Sequence, residues 1–143
     1  MNIKNETIEL KVYLFSFFII MISMLVIDGI WLAVMFKRFY AHQIGSLLKE
    51  SVSLLPALLF YVLYGVALSA LVVAPALKHN TGYLEVLMLG ALFGMVTYGT
   101  YDLSNLATLK NWPWIVTVVD IAWGSVLAGL LSVIATFTTR IFW

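Results

Sequence analysis

The chain has 143 residues, of which 63% are hydrophobic and 10% are charged, and it contains no cysteine. A soluble domain is usually about half apolar and about one quarter charged, so this composition indicates a protein whose solvent is lipid. The formal net charge of +1 provides no basic surface for nucleic acid, and the lack of cysteine excludes disulfides, iron–sulfur clusters and cysteine nucleophiles.

Four long apolar segments predict four transmembrane helices, at about residues 12–36, 54–77, 84–109 and 114–137. None of them shows the alternation of a barrel strand, and each can satisfy its own backbone only as a helix. The length of the first segment and the presence of Asp28 favour a retained span over a signal peptide. We therefore expect residues 1–143 to form a single all-α membrane domain, a four-transmembrane-helix antiparallel bundle.

The linker between the first two predicted spans, residues 37–53, is long enough to contain an element of its own. Four residues recur in it at helical spacing, namely Tyr40, Ile44, Leu47 and Leu48, which predicts a short amphipathic helix at the membrane interface. The other two linkers are short, so the second, third and fourth spans should be antiparallel neighbours. Basic residues are evenly divided between the two faces, so the positive-inside rule does not set the orientation.

Three aspartates lie well inside the predicted spans, at Asp28, Asp102 and Asp120. Each Asp near a helix centre costs about 2.5–3.5 kcal/mol on insertion scales, so other groups must offset that cost. Counted from the span ends, all three lie roughly 10–13 Å inward from the same membrane face. The other half of the bilayer is almost purely apolar in sequence. The predicted chemistry therefore lies in one leaflet.

Aromatic and amide side chains fall at the depth of the three carboxylates and on matching helical faces. They are Trp31, Tyr61, Tyr64, Tyr98, Tyr101, Asn105 and Trp123. Such faces converge on the interior of a four-helix bundle, so these residues and the three Asp are predicted to line a pocket that opens toward the first linker. The predicted spans contain no Lys, Arg or His, so any carboxylate charge there requires a proton, a metal ion or an amine-bearing ligand.

A structural role for the same polar residues is the alternative. A protonated Asp that is hydrogen-bonded to Tyr, Asn or Trp can simply join neighbouring helices. The Gly90-x-x-x-Gly94 motif predicts a close-packing face on the third span. Trp112, Trp114 and Trp143 lie at span ends and are predicted to form interfacial belts.

No haem is expected, because the two histidines lie in linkers on opposite faces and cannot ligate one iron together. They are His42 and His79. With the iron–sulfur clusters already excluded, the identity of any cofactor or metal stays open.

Several motifs between about Val26 and Leu130 form a recognisable set. They are Asp28-x-x-Trp31, Lys37-Arg38-Phe39-Tyr40, Pro56-Ala57-x-x-Phe60-Tyr61-x-x-Tyr64, Tyr98-x-x-Tyr101-Asp102-Leu103-x-Asn105 and Asp120-x-x-Trp123-Gly124. The set resembles a family of small four-span bacterial inner-membrane proteins that is catalogued as a domain of unknown function. The resemblance implies a multi-pass protein of the bacterial inner (cytoplasmic) membrane, and it implies no activity.

The Asp-x-x-Trp motif occurs twice, at Asp28–Trp31 and at Asp120–Trp123. The first copy lies late in its span, whereas the second lies early in an antiparallel span. We therefore predict that the two copies face each other at matched depth, as in the inverted repeats of transporters.

Three functions are consistent with these features. The first is a membrane-embedded binding protein or small carrier for a cation, a proton or a polar small molecule, which as a carrier would need to form a homodimer. The second is a membrane-embedded enzyme, or an accessory to one, in which the carboxylates act on lipid as acid and base or ligate a divalent ion. The third is a structural or partner-binding protein of the lipid bilayer.

Overall fold

The computed structural model describes the backbone of residues 3–143 and the side chains from Leu10 onward. Residues 3–143 form helices and connecting turns, with no strand. Four of the helices are long and apolar enough to cross a membrane, at Leu10–Leu47, Leu54–Lys78, Tyr83–Thr108 and Trp114–Phe142. The prediction of an all-α protein with four spans is confirmed.

The first span is longer than predicted, because it does not end at residue 36. It consists of α1 (Ile3–Met35), a π-helical turn (Phe36–Tyr40), α2 (Ala41–Ile44) and a 3-10 turn (Gly45–Leu47). The short helix expected between the first two spans is therefore present, but it continues from α1 with no loop before it. Lys37 and Arg38 are exposed at this junction. The helix continues past these two charges, and Tyr40 in the same segment is hydrogen-bonded to Asp120 of the fourth span.

The second span contains a local irregularity that its own sequence explains. It consists of α3 (Leu54–Leu68), a π-helical turn (Ser69–Val73) and α4 (Ala74–Lys78). Pro75 has no N–H to donate to the carbonyl four residues earlier, and its ring crowds that carbonyl. The π-helical turn lies directly before this proline, where a widened turn relieves the crowding.

The second span ends at a left-handed residue. Asn80 has φ 51°, a conformation that Asn adopts more readily than most residues. The N–H of Thr81 then donates to the carbonyl of Ala76 at 2.9 Å, which closes the helix end. The chain can therefore reverse within a few residues, and α5 (Tyr83–Thr108) begins directly after Gly82.

The closest helix pair consists of α5 and α6 (Trp114–Phe142). Gly94 lies against the backbone carbonyl of Gly124, so a methyl group at Gly94 would overlap that carbonyl. One turn earlier, Gly90 lies against Ser132 and the carbonyl of Ala128 in the same way. The close-packing prediction for Gly90 and Gly94 is confirmed, since only hydrogen atoms fit between the two backbones there.

The half of the bundle away from the three carboxylates is tightly filled. Its fully buried apolar side chains include Ile20, Met24, Leu68, Leu127 and Leu131. This half is less purely apolar than the sequence suggested, because five buried hydroxyl residues lie in it, at Ser16, Ser69, Ser132, Thr136 and Thr139. The Oγ atoms of Ser16 and Ser69 lie 2.8 Å apart and join the first two spans. The hydroxyls of Ser16 and Ser132 also donate to carbonyls of their own helices, which lowers the cost of burying them. The buried hydroxyls of Thr136 and Thr139 have no hydrogen-bond partner among the described residues.

Candidate functional site

A cavity of about 430 Å³ lies among all four spans, at the end of the bundle where residues 48–53 connect the first two. It is lined by Asp28, Trp31, Leu32, Phe36, Tyr40, Ile44, Leu48, Phe60, Tyr61, Thr97, Tyr98, Tyr101, Asp120 and Trp123. Seven of the ten residues predicted for the pocket are therefore brought together around one space. The lining surface is overwhelmingly apolar, with few accessible polar atoms.

The first span forms one wall of the cavity through a stripe that repeats every four residues. The stripe begins at Asp28, passes through Phe36 and Tyr40, and ends at Leu48. In an α-helix a spacing of four drifts by about 40° around the axis at each step. The π-helical turn at Phe36–Tyr40 reduces this drift, because it contains more residues per turn. The unbroken helix through the π-helical turn carries the stripe beyond the predicted end of the span. The first linker therefore forms part of the cavity wall.

Asp28 is the most fully bonded of the three carboxylates. Its Oδ2 accepts a hydrogen bond from the hydroxyl of Tyr61 at 2.7 Å, and its Oδ1 accepts one from Nε1 of Trp123 at 3.0 Å. Only 6% of its surface is exposed. Because the two donors belong to the second and fourth spans, Asp28 joins three spans through one side chain.

Asp120 has a more open environment. Its Oδ1 accepts a hydrogen bond from the hydroxyl of Tyr40, and that hydroxyl accepts one from Nε1 of Trp31 at 3.2 Å. Its Oδ2 accepts no hydrogen bond from any other residue whose side chain the structure describes. Asp120 is half-buried and lines the cavity. One carboxylate oxygen is therefore left for another partner.

The two Asp-x-x-Trp motifs face each other, as their positions predicted. The rings of Trp31 and Trp123 are stacked, with centroids 4.1 Å apart and planes inclined by 6°. Each tryptophan is connected by hydrogen bonds to the carboxylate of the other motif. Trp123 donates directly to Asp28, whereas Trp31 reaches Asp120 through Tyr40. The two motifs form a crossed arrangement in which hydrogen bonds and ring stacking fix both carboxylates.

Tyr98 is held in place by a glycine on the neighbouring helix. Its ring occupies the space where a Cβ of residue 124 would lie, so Gly124 is what allows α6 to pack against it. Tyr98 also meets the ring of Tyr64 edge-on, with centroids 6.4 Å apart. Glycine at position 124 and tyrosine at position 98 therefore define one side of the cavity together.

Three of the predicted residues do not line the cavity, namely Tyr64, Asp102 and Asn105. Tyr64 is buried behind Tyr98 and packs edge-on against Phe93. Asp102 has no exposed surface, and its two carboxylate oxygens find no hydrogen-bond donor among the described residues. Asn105 lies one turn beyond Asp102 and is partly exposed.

Sequence analysis missed most of the wall contributed by residues 36–48. Phe36, Tyr40, Ile44 and Leu48 all line the cavity. The signal that could have identified them is their spacing of four from Asp28. The basic pair at residues 37–38 obscures this signal, because such a pair is typical of the end of a span.

One of the expected belt tryptophans has a different environment. Trp112 is 8% exposed, and its Nε1 donates to Oγ1 of Thr117 at 3.0 Å. It also packs edge-on against Tyr101, so it supports the cavity wall from behind. Trp114 and Trp143 are well exposed, as interfacial residues should be.

The chemistry of the lining is better suited to a positive charge than to an anion. No Lys, Arg or His is among the cavity residues. Within the part of the chain that the structure describes, no group of three or more His, Asp or Glu could hold a metal ion. The cavity offers instead one partly free carboxylate surrounded by aromatic faces, which attract positive charge.

Comparison with known families completes the description of the chain. Residues 13–137 match the family described as "Predicted membrane protein (DUF2177)". The chain belongs to this family. No curated protein and no solved structure matches the chain. Both the family description and the four apolar helices make it a multi-pass membrane protein.

Proposed function

We propose that this DUF2177 protein binds a cation or a polar small molecule in its intramembrane cavity. One observation carries the proposal, namely that Asp120 lines the cavity with one carboxylate oxygen free of hydrogen bonds from the described residues. Ionisable groups within a membrane are costly and usually mark a site. The family resemblance adds the bacterial inner membrane as the proposed location.

The two carboxylates of the cavity have different proposed roles. Asp28 uses both oxygens to join three spans, so its role is to hold the bundle together around the cavity. Asp120 uses one oxygen to hold Tyr40 and keeps the other for the ligand. The structural alternative, in which a hydrogen-bonded Asp joins neighbouring helices, therefore fits Asp28 better than Asp120.

The tight packing beyond the cavity favours binding from one side only. Ile20, Met24 and Leu127 are fully buried beneath the cavity, between it and the opposite end of the bundle. A ligand would enter and leave at the end where residues 48–53 lie. Carrier activity would require the bundle to rearrange or a second copy of the chain to contribute.

An enzymatic role has less support from the same geometry. Acid–base catalysis by paired carboxylates needs oxygen atoms that can reach a substrate. Both oxygens of Asp28 are already occupied by Tyr61 and Trp123. Asp120 would then have to act without a second carboxylate whose oxygens are free.

The proposal can be tested by native mass spectrometry of the gently purified protein. We expect the wild type to retain an added mass that Asp120→Asn loses, because the amide carries no charge for a cation. Asp102→Asn is the matched control, since it makes the same change at a buried carboxylate outside the cavity lining. Identical bare masses for all three proteins would refute the proposal.

A further inference from the structure

We infer, on the basis of the proposed function, that the ligand is an amphiphilic organic cation with a single positive charge. It carries an ammonium group for Asp120 and an apolar body, aromatic or aliphatic, for the rest of the cavity. Charge, lining chemistry and size each point to this class.

The free acceptor of the cavity matches one positive group. Both oxygens of Asp28 already accept hydrogen bonds, which leaves one oxygen of Asp120 as the available acceptor. A Ca²⁺ ion takes about six to eight oxygen ligands, far more than this site offers. An anion would meet a carboxylate and, among the residues lining the cavity, no basic side chain.

The lining chemistry requires the ligand to bring apolar surface with it. Leu32, Phe36, Ile44 and Leu48 on the first span face Phe60 and Tyr98 across the cavity. A small inorganic ion such as Na⁺ would exchange its water for carbon atoms over most of this surface, which is unfavourable. An organic cation gains from burying its apolar body, and its charge is further stabilised by the faces of Tyr and Trp rings within about 6 Å.

The size of the cavity sets the scale of the ligand. A volume of about 430 Å³ lies within the range of small-molecule sites, roughly 300–1,000 Å³. A phenyl ring with a two-carbon amine arm fits well below this limit. Phenethylammonium therefore makes a suitable first probe, with its ammonium on Asp120 and its ring against the first span.

The test compares three probes of nearly equal shape on protein in lipid nanodiscs, by isothermal titration calorimetry. They are phenethylammonium, neutral 2-phenylethanol and anionic 3-phenylpropanoate. We expect phenethylammonium to bind the wild type at least about tenfold more tightly than either of the others. Asp120→Asn should remove that preference by a factor of about ten or more, whereas Asp102→Asn should keep it.

A second variant protects the test against misfolding of Asp120→Asn. Ile44→Trp fills the cavity while leaving every carboxylate in place, and it should weaken phenethylammonium binding by about tenfold or more. The class of ligand is wrong if the alcohol, the carboxylate probe or sodium chloride binds as tightly as phenethylammonium and Ile44→Trp weakens that binding; the proposed function then survives. If Ile44→Trp weakens the binding of no probe, both the ligand class and the proposed function fail.

Discussion

Asp28 and Asp120 begin the same short motif, yet their carboxylates have different surroundings. Asp28 accepts two hydrogen bonds, one from each of two other spans, whereas Asp120 accepts one, from the hydroxyl of Tyr40. A buried acceptor that loses its donors, or a donor that loses its acceptor, costs about 1–3 kcal/mol. This difference in the number of bonds is why we assign Asp28 to the stability of the fold and propose Asp120 as the ligand-binding residue.

The role of Asp28 predicts the effect of removing its carboxylate. Asp28→Ala leaves the hydroxyl of Tyr61 and the indole N–H of Trp123 without an acceptor, so we expect the free energy of unfolding to fall by about 1–3 kcal/mol. Asp28→Asn retains a carbonyl oxygen for one donor and should cost less. Denaturant unfolding in detergent measures both. Equal losses for the two variants would show that the hydrogen bonds are not what Asp28 contributes.

At the scale of the elements, two features shape the site. The first is the contact between α5 and α6, where glycines let the two backbones come close together. The ring of Tyr98 packs directly against Gly124 in this contact. The second is the continuation of the first span beyond α1, which places Tyr40 beside Asp120. The first depends on residues that have no side chain, and the second on a widened helical turn.

The glycine contact predicts a large difference between two similar substitutions in α5. A methyl group at Gly94 would overlap the carbonyl of Gly124, so Gly94→Ala should lower the free energy of unfolding by about 1–3 kcal/mol. Gly99→Ala is the control, since its new Cβ would lie 3.8 Å from its nearest neighbour, a side-chain atom of Ile121. We expect Gly99→Ala to be neutral or slightly stabilising, because alanine favours the helix. Comparable destabilisation by both variants would contradict the close packing at Gly94.

The extension of the first span depends on one hydrogen-bonded tyrosine. Tyr40→Phe keeps the ring but removes the hydrogen bonds to Trp31 and Asp120. We expect amide hydrogen exchange in residues 41–48 to become severalfold faster, while exchange in α5 is unchanged. Hydrogen–deuterium exchange with mass spectrometry measures this. Unchanged exchange in residues 41–48 would mean that apolar packing alone holds this segment on the cavity.

For the whole molecule, the four spans place the connecting segments at two ends of the bundle. Residues 48–53 and 109–113 lie at the end that carries the cavity, and residues 79–82 lie at the other. Lipid covers the exposed apolar side chains between these ends, and only the connections should meet water on the two sides of the membrane.

The absence of natural cysteine makes this topology directly testable. Single substitutions Glu50→Cys, Lys110→Cys and His79→Cys each place a thiol at an exposed position of a connection. A membrane-impermeant maleimide added to sealed vesicles should label the first two from one side and the third from the opposite side. Labelling of Lys110→Cys and His79→Cys from the same side would contradict the four-span arrangement.

Much of the fold was predictable from local sequence properties. Hydropathy identified the second and third spans to within about two residues of Leu54–Lys78 and Tyr83–Thr108. The predicted first span ended too early, at residue 36, because Lys37 and Arg38 are typical of the end of a span. A helix can continue past charged residues when their side chains lie on its exposed side. Which side is exposed depends on how the helix packs in the bundle.

Composition and hydropathy are enough to identify the lipid solvent and the four helices, and they predict a common depth for the three Asp residues. These properties follow from composition and from a rise of 1.5 Å per residue, both of which are local. The packing of the helices was needed to show that Asp28 is fully bonded, that Asp102 lies outside the cavity lining and that Tyr40 reaches Asp120. Tyr40 and Asp120 are 80 residues apart in the chain. Such pairs depend on the rotation and spacing of packed helices, which here are set by close contacts such as Tyr98 on Gly124.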